Sequence, residues 1–548
     1  MIKLRHLLFC AVTVLSPATS VPARAENGPT VDAPAGQLKG QADGAIRVFK
    51  GIPYALPPTG AARWKPPGEM PRWTGIRTAT RFGPECVQPK TKLSSIYTGN
   101  PVPMSEDCLT LNIWAPSGAR NAPVFFWIYG GALWGGANRD PIYDGAKLAS
   151  RGMVVVTINY RLGVLGWLAH PELSAESPFN VSGNYGLLDQ IAALKWVKRN
   201  IGAFGGDASN VTIAGESAGA LSVMYLMVSP KARGLFARAI AQSAYMISTQ
   251  LLKQSKYGTP SAEESGAKLA AAVQAPNIAV LRAMDPDSLT AAAAAVGFAP
   301  FGAVDGYVLP DQLVDVFDRG EQAHVPLLAG FNNGEIRSLR ILAPPVPASQ
   351  ADYEKAIHER YLDLADGFLN LYPATNMQES IWATTRDALY GWTAERLVRK
   401  QTVIGAPAYL YYFDHGYPAE DSAGYHAFHG SELPYVFGTS DRTPPLWPKI
   451  PATPVEQALS DAMIDYWSSF ARTGQPETQG GPEWKTYDST GAYMDFTDAP
   501  HLADHLLPGM YALHERAMCR RHASGNLPWN WNVGIVSPPL PGDRIRCP

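Results

Sequence analysis

Val211-Thr212-Ile213-Ala214-Gly215-Glu216-Ser217-Ala218-Gly219-Ala220-Leu221-Ser222-Val223-Met224-Tyr225-Leu226-Met227-Val228 decides the fold. Val211–Ala214 is short, β-branched and apolar, which reads as a buried strand. Ala218–Val228 carries helix formers and apolar residues on every side, which reads as a buried helix. Between them only Gly215, Glu216 and Ser217 remain to turn the chain. A turn that tight is a nucleophile elbow, with Ser217 strained at its tip. Gly215 and Gly219 flank it because larger side chains would collide across the turn. The G-x-S-x-G string alone is common, and its strand-before, helix-after setting gives it weight.

Outward from the elbow, the pattern alternates. Val124–Tyr129 and Met153–Tyr160 read as buried strands and Leu187–Asn200 as an amphipathic helix with Leu188, Ile191, Leu194 and Val197 on one face. Ala237–Ser243, Val325–Gly330 and Ala408–Phe413 read as further strands, and Gln457–Arg472 as a closing helix. Residues 30–120 look like short strands and turns, and 255–300 and 350–400 look helix-rich. Strands alternating with helices predict an α/β fold, a large mostly parallel sheet covered on both faces.

Residues 1–25 have the form of a removed leader: basic Lys3 and Arg5, an apolar run from Leu7 to Leu15, and Ala23-Arg24-Ala25. No stretch reaches the roughly 20 apolar residues of a membrane span. The mature chain is therefore expected in a secreted or periplasmic setting. Without the leader the formal charge moves from −2 to about −5. That balance excludes a generally basic nucleic-acid binder. Cys86, Cys108, Cys519 and Cys547 remain. Local closure favours Cys86–Cys108 and Cys519–Cys547, an oxidising compartment permits both, and no C-x-x-C spacing supports the competing zinc site.

A serine hydroxyl needs a neighbouring base. His429, in Phe428-His429-Gly430-Ser431, leads on position, with His426 and His415 as rivals. The acid is expected between serine and histidine, in a loop at a strand's carboxyl end, and Glu335 in Asn332-Asn333-Gly334-Glu335 meets that description. Gly130-Gly131-Ala132 follows a strand directly, where backbone N–H groups can face a developing oxyanion, and Ala218 N–H is the other expected donor.

Several ordered blocks carry a family resemblance. They are Gly51–Ala55, Glu106–Asn112, Asn159-Tyr160-Arg161, Gly183–Gln190, Phe204–Asp207, the elbow, His429–Gly438 and Tyr466–Ala471. From about residue 30 to 515 the chain resembles a type-B carboxylesterase, the cholinesterase-like branch of the α/β hydrolases. The resemblance implies a Ser217–Glu335–His429 triad and oxyanion donors at Gly131, Ala132 and Ala218. It implies a Cys86–Cys108 disulfide, salt bridges Arg63–Glu106 and Arg161–Asp189, Ser243 supporting Glu335, and Glu216 tuning His429. It implies a small-molecule ester substrate and no metal or organic cofactor.

The chain departs from the family at three points: Ala132 where glycine is commoner, no tryptophan between Cys86 and Cys108 to stack a choline group, and Arg337 and Arg340 just after Glu335. Those arginines would suit anionic acyl groups, as in a fumonisin-type polycarboxylate esterase; the plainer reading is surface arginines. Cholinesterase-like adhesion proteins, the non-enzymatic alternative, usually lose a triad residue, and all three are here. Trp134 and Tyr245 are expected pocket walls. The domain expected is 26–518, followed by a disulfide-closed extension 519–548 with no assigned role. Oligomeric state leaves no mark in the sequence.

Overall fold

The computed structural model describes residues 28–90, 95–530, 532–542 and 547. The leader expected at residues 1–25 lies outside them. Eleven strands form the main sheet: β1 (Gln41–Asp43), β2 (Ile46–Pro53), β3 (Thr110–Pro116), β4 (Ala122–Ile128), β5 (Val154–Ile158), β6 (Gly206–Glu216), β7 (Arg238–Gln242), β8 (Leu327–Asn332), β9 (Ala408–Phe413), β10 (Ala492–Phe496) and β11 (Pro500–Asp504). Their spatial order is β11-β10-β9-β8-β7-β6-β4-β5-β3-β2-β1. Pairings from β5 through β10 are parallel, and both edges are antiparallel.

The central strands are apolar because neither face meets water: every residue of β4, β5, β8 and β9 is buried. Helices α1 (Tyr185–Asn200), α2 (Ala218–Val228), α3 (Trp392–Val403) and α4 (Pro454–Thr473) are among those that cover it, and α5 (Met510–Ser524) packs outside them on α3. All eleven residues of α2 are buried, which explains a helix apolar all round. Helix α4 starts where Thr453 Oγ1 accepts from Glu456 N–H at 3.3 Å and stops at Gly474, φ 87°.

The expected elements are present with shifted ends. Strand β6 begins at Gly206 rather than Val211, and β8 begins after Pro326 and runs to Asn332. Glu335, expected in a loop, opens the short helix Glu335–Ser338. A π-helical turn, Asp387–Gly391, which periodicity did not foretell, leads into α3.

Both disulfides form as local closure favoured, Cys86–Cys108 and Cys519–Cys547, so these cysteines are not zinc ligands. The Arg63 guanidinium donates to both Glu106 carboxylate oxygens at 2.7 and 2.6 Å, and Arg161 donates to both Asp189 oxygens at 2.8 Å. Helix α5 runs through residue 518, so the C-terminal segment starts as a helix packed on α3. Among the described residues, no helix is long and apolar enough to cross a membrane.

Candidate active site

Strand β6 delivers Ser217 to the carboxyl edge of the sheet, where φ 54° and ψ −121° hold it in a conformation few non-glycine residues adopt. Such strain costs on the order of 1–3 kcal/mol and persists only where the surroundings enforce it. Two bonds do so here: Ser217 N–H donates to Gln242 O at 2.9 Å, and Ser217 O accepts from Leu221 N–H at 2.9 Å. A Cβ on Gly219 would stand 2.0 Å from Ile128 O, and one on Gly215 would stand 2.5 Å from the Gly219 carbonyl carbon. Both positions therefore exclude any side chain.

Strand β4 supplies the next turn. Gly131 and Ala132 have φ values of 104° and 54°, and the Gly131 carbonyl accepts from Trp134 and Gly135 N–H at 2.9 and 3.0 Å. The N–H groups of Gly131, Ala132 and Ala218 donate to no other described residue. That leaves them available for an incoming oxygen.

His429 enters from the segment after β9. Its Nδ1 and the Glu335 carboxylate form a short hydrogen bond. The other Glu335 oxygen accepts from Asn332 N–H at 2.9 Å. The imidazole Nε2 lies 3.0 Å from Glu216 Oε1, at an angle outside hydrogen-bond geometry. No hydrogen bond joins it to Ser217 Oγ in this state. A third carboxylate, Glu432, accepts from Asn332 Nδ2 at 2.6 Å and Gln242 Nε2 at 2.9 Å.

Three buried carboxylates around one imidazole set its charge. Burial pulls His429 down, but Glu216 and then Glu335 outweigh it and carry the imidazole up to about 9. Burial pushes Glu216 up to about 8, opposed by the His429 charge and helped by Glu432 and Glu335. Each charge shifts the other: ionised Glu216 raises His429, and the His429 charge lowers Glu216.

The rival histidines are committed elsewhere. His426 bridges Asp421 at 2.7 Å and Asp414 at 3.0 Å; His415 bridges Glu456 at 2.9 Å and Asp498 at 3.1 Å. Ser217, His429, Glu216, Gly131, Ala132 and Tyr245 line one cavity of about 870 Å3.

Two expected placements differ, and the two arginines after Glu335 stand clear of the cavity. Trp134 does not line that cavity: its ring packs edge-on to Phe298 at 6.3 Å and over Gly163, because the tight 131–135 turn directs it away. Ser243 does not hold Glu335: at φ 48° its hydroxyl finds no hydrogen-bond partner among the described residues, and Asn332 N–H does that work. Arg337 pairs with Glu379 at 2.9 Å, and both it and Arg340 lie over Trp382 at 5.2 Å, away from the cavity lining.

Sequence reasoning missed Tyr97, whose hydroxyl donates to His429 O at 2.8 Å from 332 residues away. It also missed Pro528 and Asn530, which bring the C-terminal segment to the cavity. Neither had a local signal.

A strained serine between strand and helix, a histidine–carboxylate pair after later strands of the same sheet, and free N–H groups beside them define an α/β hydrolase. The chain belongs to the carboxylesterase family, whose profile matches residues 27–513, and it is a carboxylic-ester hydrolase. It is 37% identical over 472 residues to fumonisin B1 esterase of Sphingopyxis macrogoltabida, covering 83% of this chain and 84% of that one. It is 36% identical over 467 residues to para-nitrobenzyl esterase of Bacillus subtilis (strain 168), covering 82% and 91%. A solved PNB esterase structure superposes with a TM-score of 0.77 at 33% identity, covering 88% of this chain and 99% of that one.

Proposed function

We propose that this chain is an exported serine esterase that cleaves neutral carboxylic esters through Ser217, His429 and Glu335. The observation that carries the reading is the convergence of the strained Ser217 and the Glu335-bound His429 on one cavity. His429 turns its Nε2 from Glu216 to Ser217 Oγ as substrate enters; catalytic hydrogen bonds are often loose before substrate binds. The Oγ–H proton passes to Nε2 while Oγ bonds the ester carbon, and the carbonyl electron pair moves onto oxygen. Gly131, Ala132 and Ala218 N–H groups stabilise that oxyanion. Collapse breaks the carbon–alkoxide bond, and His429 gives its proton to the leaving alcohol. Water, deprotonated by His429, then releases the acid and restores Ser217. Glu335 holds Nδ1–H and stabilises the imidazolium at both stages.

Ser217→Ala should abolish p-nitrophenyl ester turnover and fluorophosphonate labelling while leaving the thermal midpoint within a few degrees. Full turnover by the folded variant would end the reading. A polycarboxylate substrate would need free cations at the cavity. Arg337 is paired elsewhere, and the lining Arg442 is bound to Asp144 at 2.8 Å. Neutral esters should therefore be turned over faster than anionic esters of the same alcohol. Export rests on the leader pattern of residues 1–25 and on the two disulfides. N-terminal sequencing of the mature protein, expected to begin near Glu26, tests it.

A further inference from the structure

Residues after 513 lie outside the family match, yet part of that segment returns to the cavity. Tyr257 N–H donates to Gly525 O at 2.9 Å. A Cβ on Gly258 would meet Asn526 O at 3.0 Å and Pro528 Cδ at 3.2 Å, so the two stretches pack backbone to backbone. Trp529 is fully buried, 6.5 Å from Trp392 and 6.2 Å from His522. These contacts fix its neighbours Pro528 and Asn530 on the cavity wall.

Asn530 is only 5% exposed, and its Oδ1 accepts from Ser248 Oγ at 2.7 Å. Its Nδ2 donates to no described residue. Lining the cavity, with no described partner for its two N–H donors, this amide is open to an acceptor from the ligand. Ile247, Gln250, Ala299 and Phe301 complete that wall. The leaving alcohol takes its proton from His429, so the alcohol part lies on the His429 side, near Tyr97 and Trp447. The acyl part faces the Asn530 wall.

Resting on the esterase reading above, we propose that Asn530 is a substrate-binding residue. Its amide N–H groups take a neutral carbonyl oxygen carried on the acyl chain, beyond the scissile ester. The segment outside the family match thereby sets acyl preference.

The test compares p-nitrophenyl 4-oxopentanoate and 6-oxoheptanoate with the pentanoate and heptanoate. Wild-type enzyme should favour one oxo ester over its alkanoate partner by about tenfold in kcat/KM. Asn530→Ala should erase that preference and leave alkanoate turnover within about twofold. Asn530→Asp, nearly isosteric but with an acceptor in place of the donors, should also erase it, and serves if the alanine variant folds poorly. No wild-type preference at either length, or a preference that survives both substitutions, overturns the proposal. So does a preference that appears only when the keto group sits on the alcohol part. Failure of the serine reading is separate: Ser217→Ala would then keep turning over the alkanoates.

Discussion

Replacing Glu216 with glutamine should move the acid limb of the pH–rate profile to lower pH. Glutamine keeps the shape and removes the charge that stands 3.0 Å from His429 Nε2. Glu216 is also the largest of the influences that raise the imidazole to about 9. Unit charges about 4 Å apart at an effective dielectric near 20 interact by about 4 kcal/mol, or about three pKa units. Glu216 itself is pushed up to about 8, so it is largely ionised where His429 titrates near 9. The remaining Glu335 interaction is untouched. The expected fall is therefore about two to three units. In the proposed mechanism only the neutral imidazole accepts the Ser217 proton, so activity should rise as pH climbs through this pKa. Lowering the pKa makes the enzyme active at lower pH. The assay is kcat/KM for a neutral p-nitrophenyl ester across pH 5–10, which reports groups of the free enzyme. An acid limb that stays put or moves upward in Glu216→Gln would refute the electrostatic argument.

Asp189→Ala leaves the buried Arg161 without its bidentate partner. It should cost about 3–5 kcal/mol in urea unfolding, and a loss under about 1 kcal/mol would show the pair is dispensable. His426 is raised to about 9 chiefly by its bond to Asp414, against burial and with Asp421 adding. Its stabilising contribution is therefore full below about 6.5 and lost as pH rises through about 9. Melting curves of wild type and His426→Gln should converge over that window, and parallel curves would contradict the assignment.

Ser217 and Glu335 were legible because each sits just past a strand whose pattern is strong, and His429 because it lies in the segment that follows a third; strand ends of a parallel sheet share one edge. Side-chain direction was not legible. Trp134 follows the Gly131 turn in sequence, but two backbone bonds to the Gly131 carbonyl turn its ring toward Phe298. Ser243 lies beside the right strand, yet its positive φ aims the hydroxyl elsewhere. The partner of Glu335 is a backbone N–H three residues away, and any residue type but proline offers one. Tyr97 and Asn530 reach the site through long-range packing, for which neither periodicity nor motif leaves a trace.

The contact between the Gly219 position and Ile128 O has a consequence for how this enzyme can diversify. Ile128 ends the strand that leads to the Gly131 turn, and Gly219 lies in the first turn of the helix behind Ser217. Main chain rests on main chain there, with no side chain between as a spacer. The alignment of the proposed nucleophile and oxyanion donors is thus fixed by backbone packing. Walls such as Ile247, Phe301 and Asn530 can be exchanged for other ester shapes without detuning the chemistry.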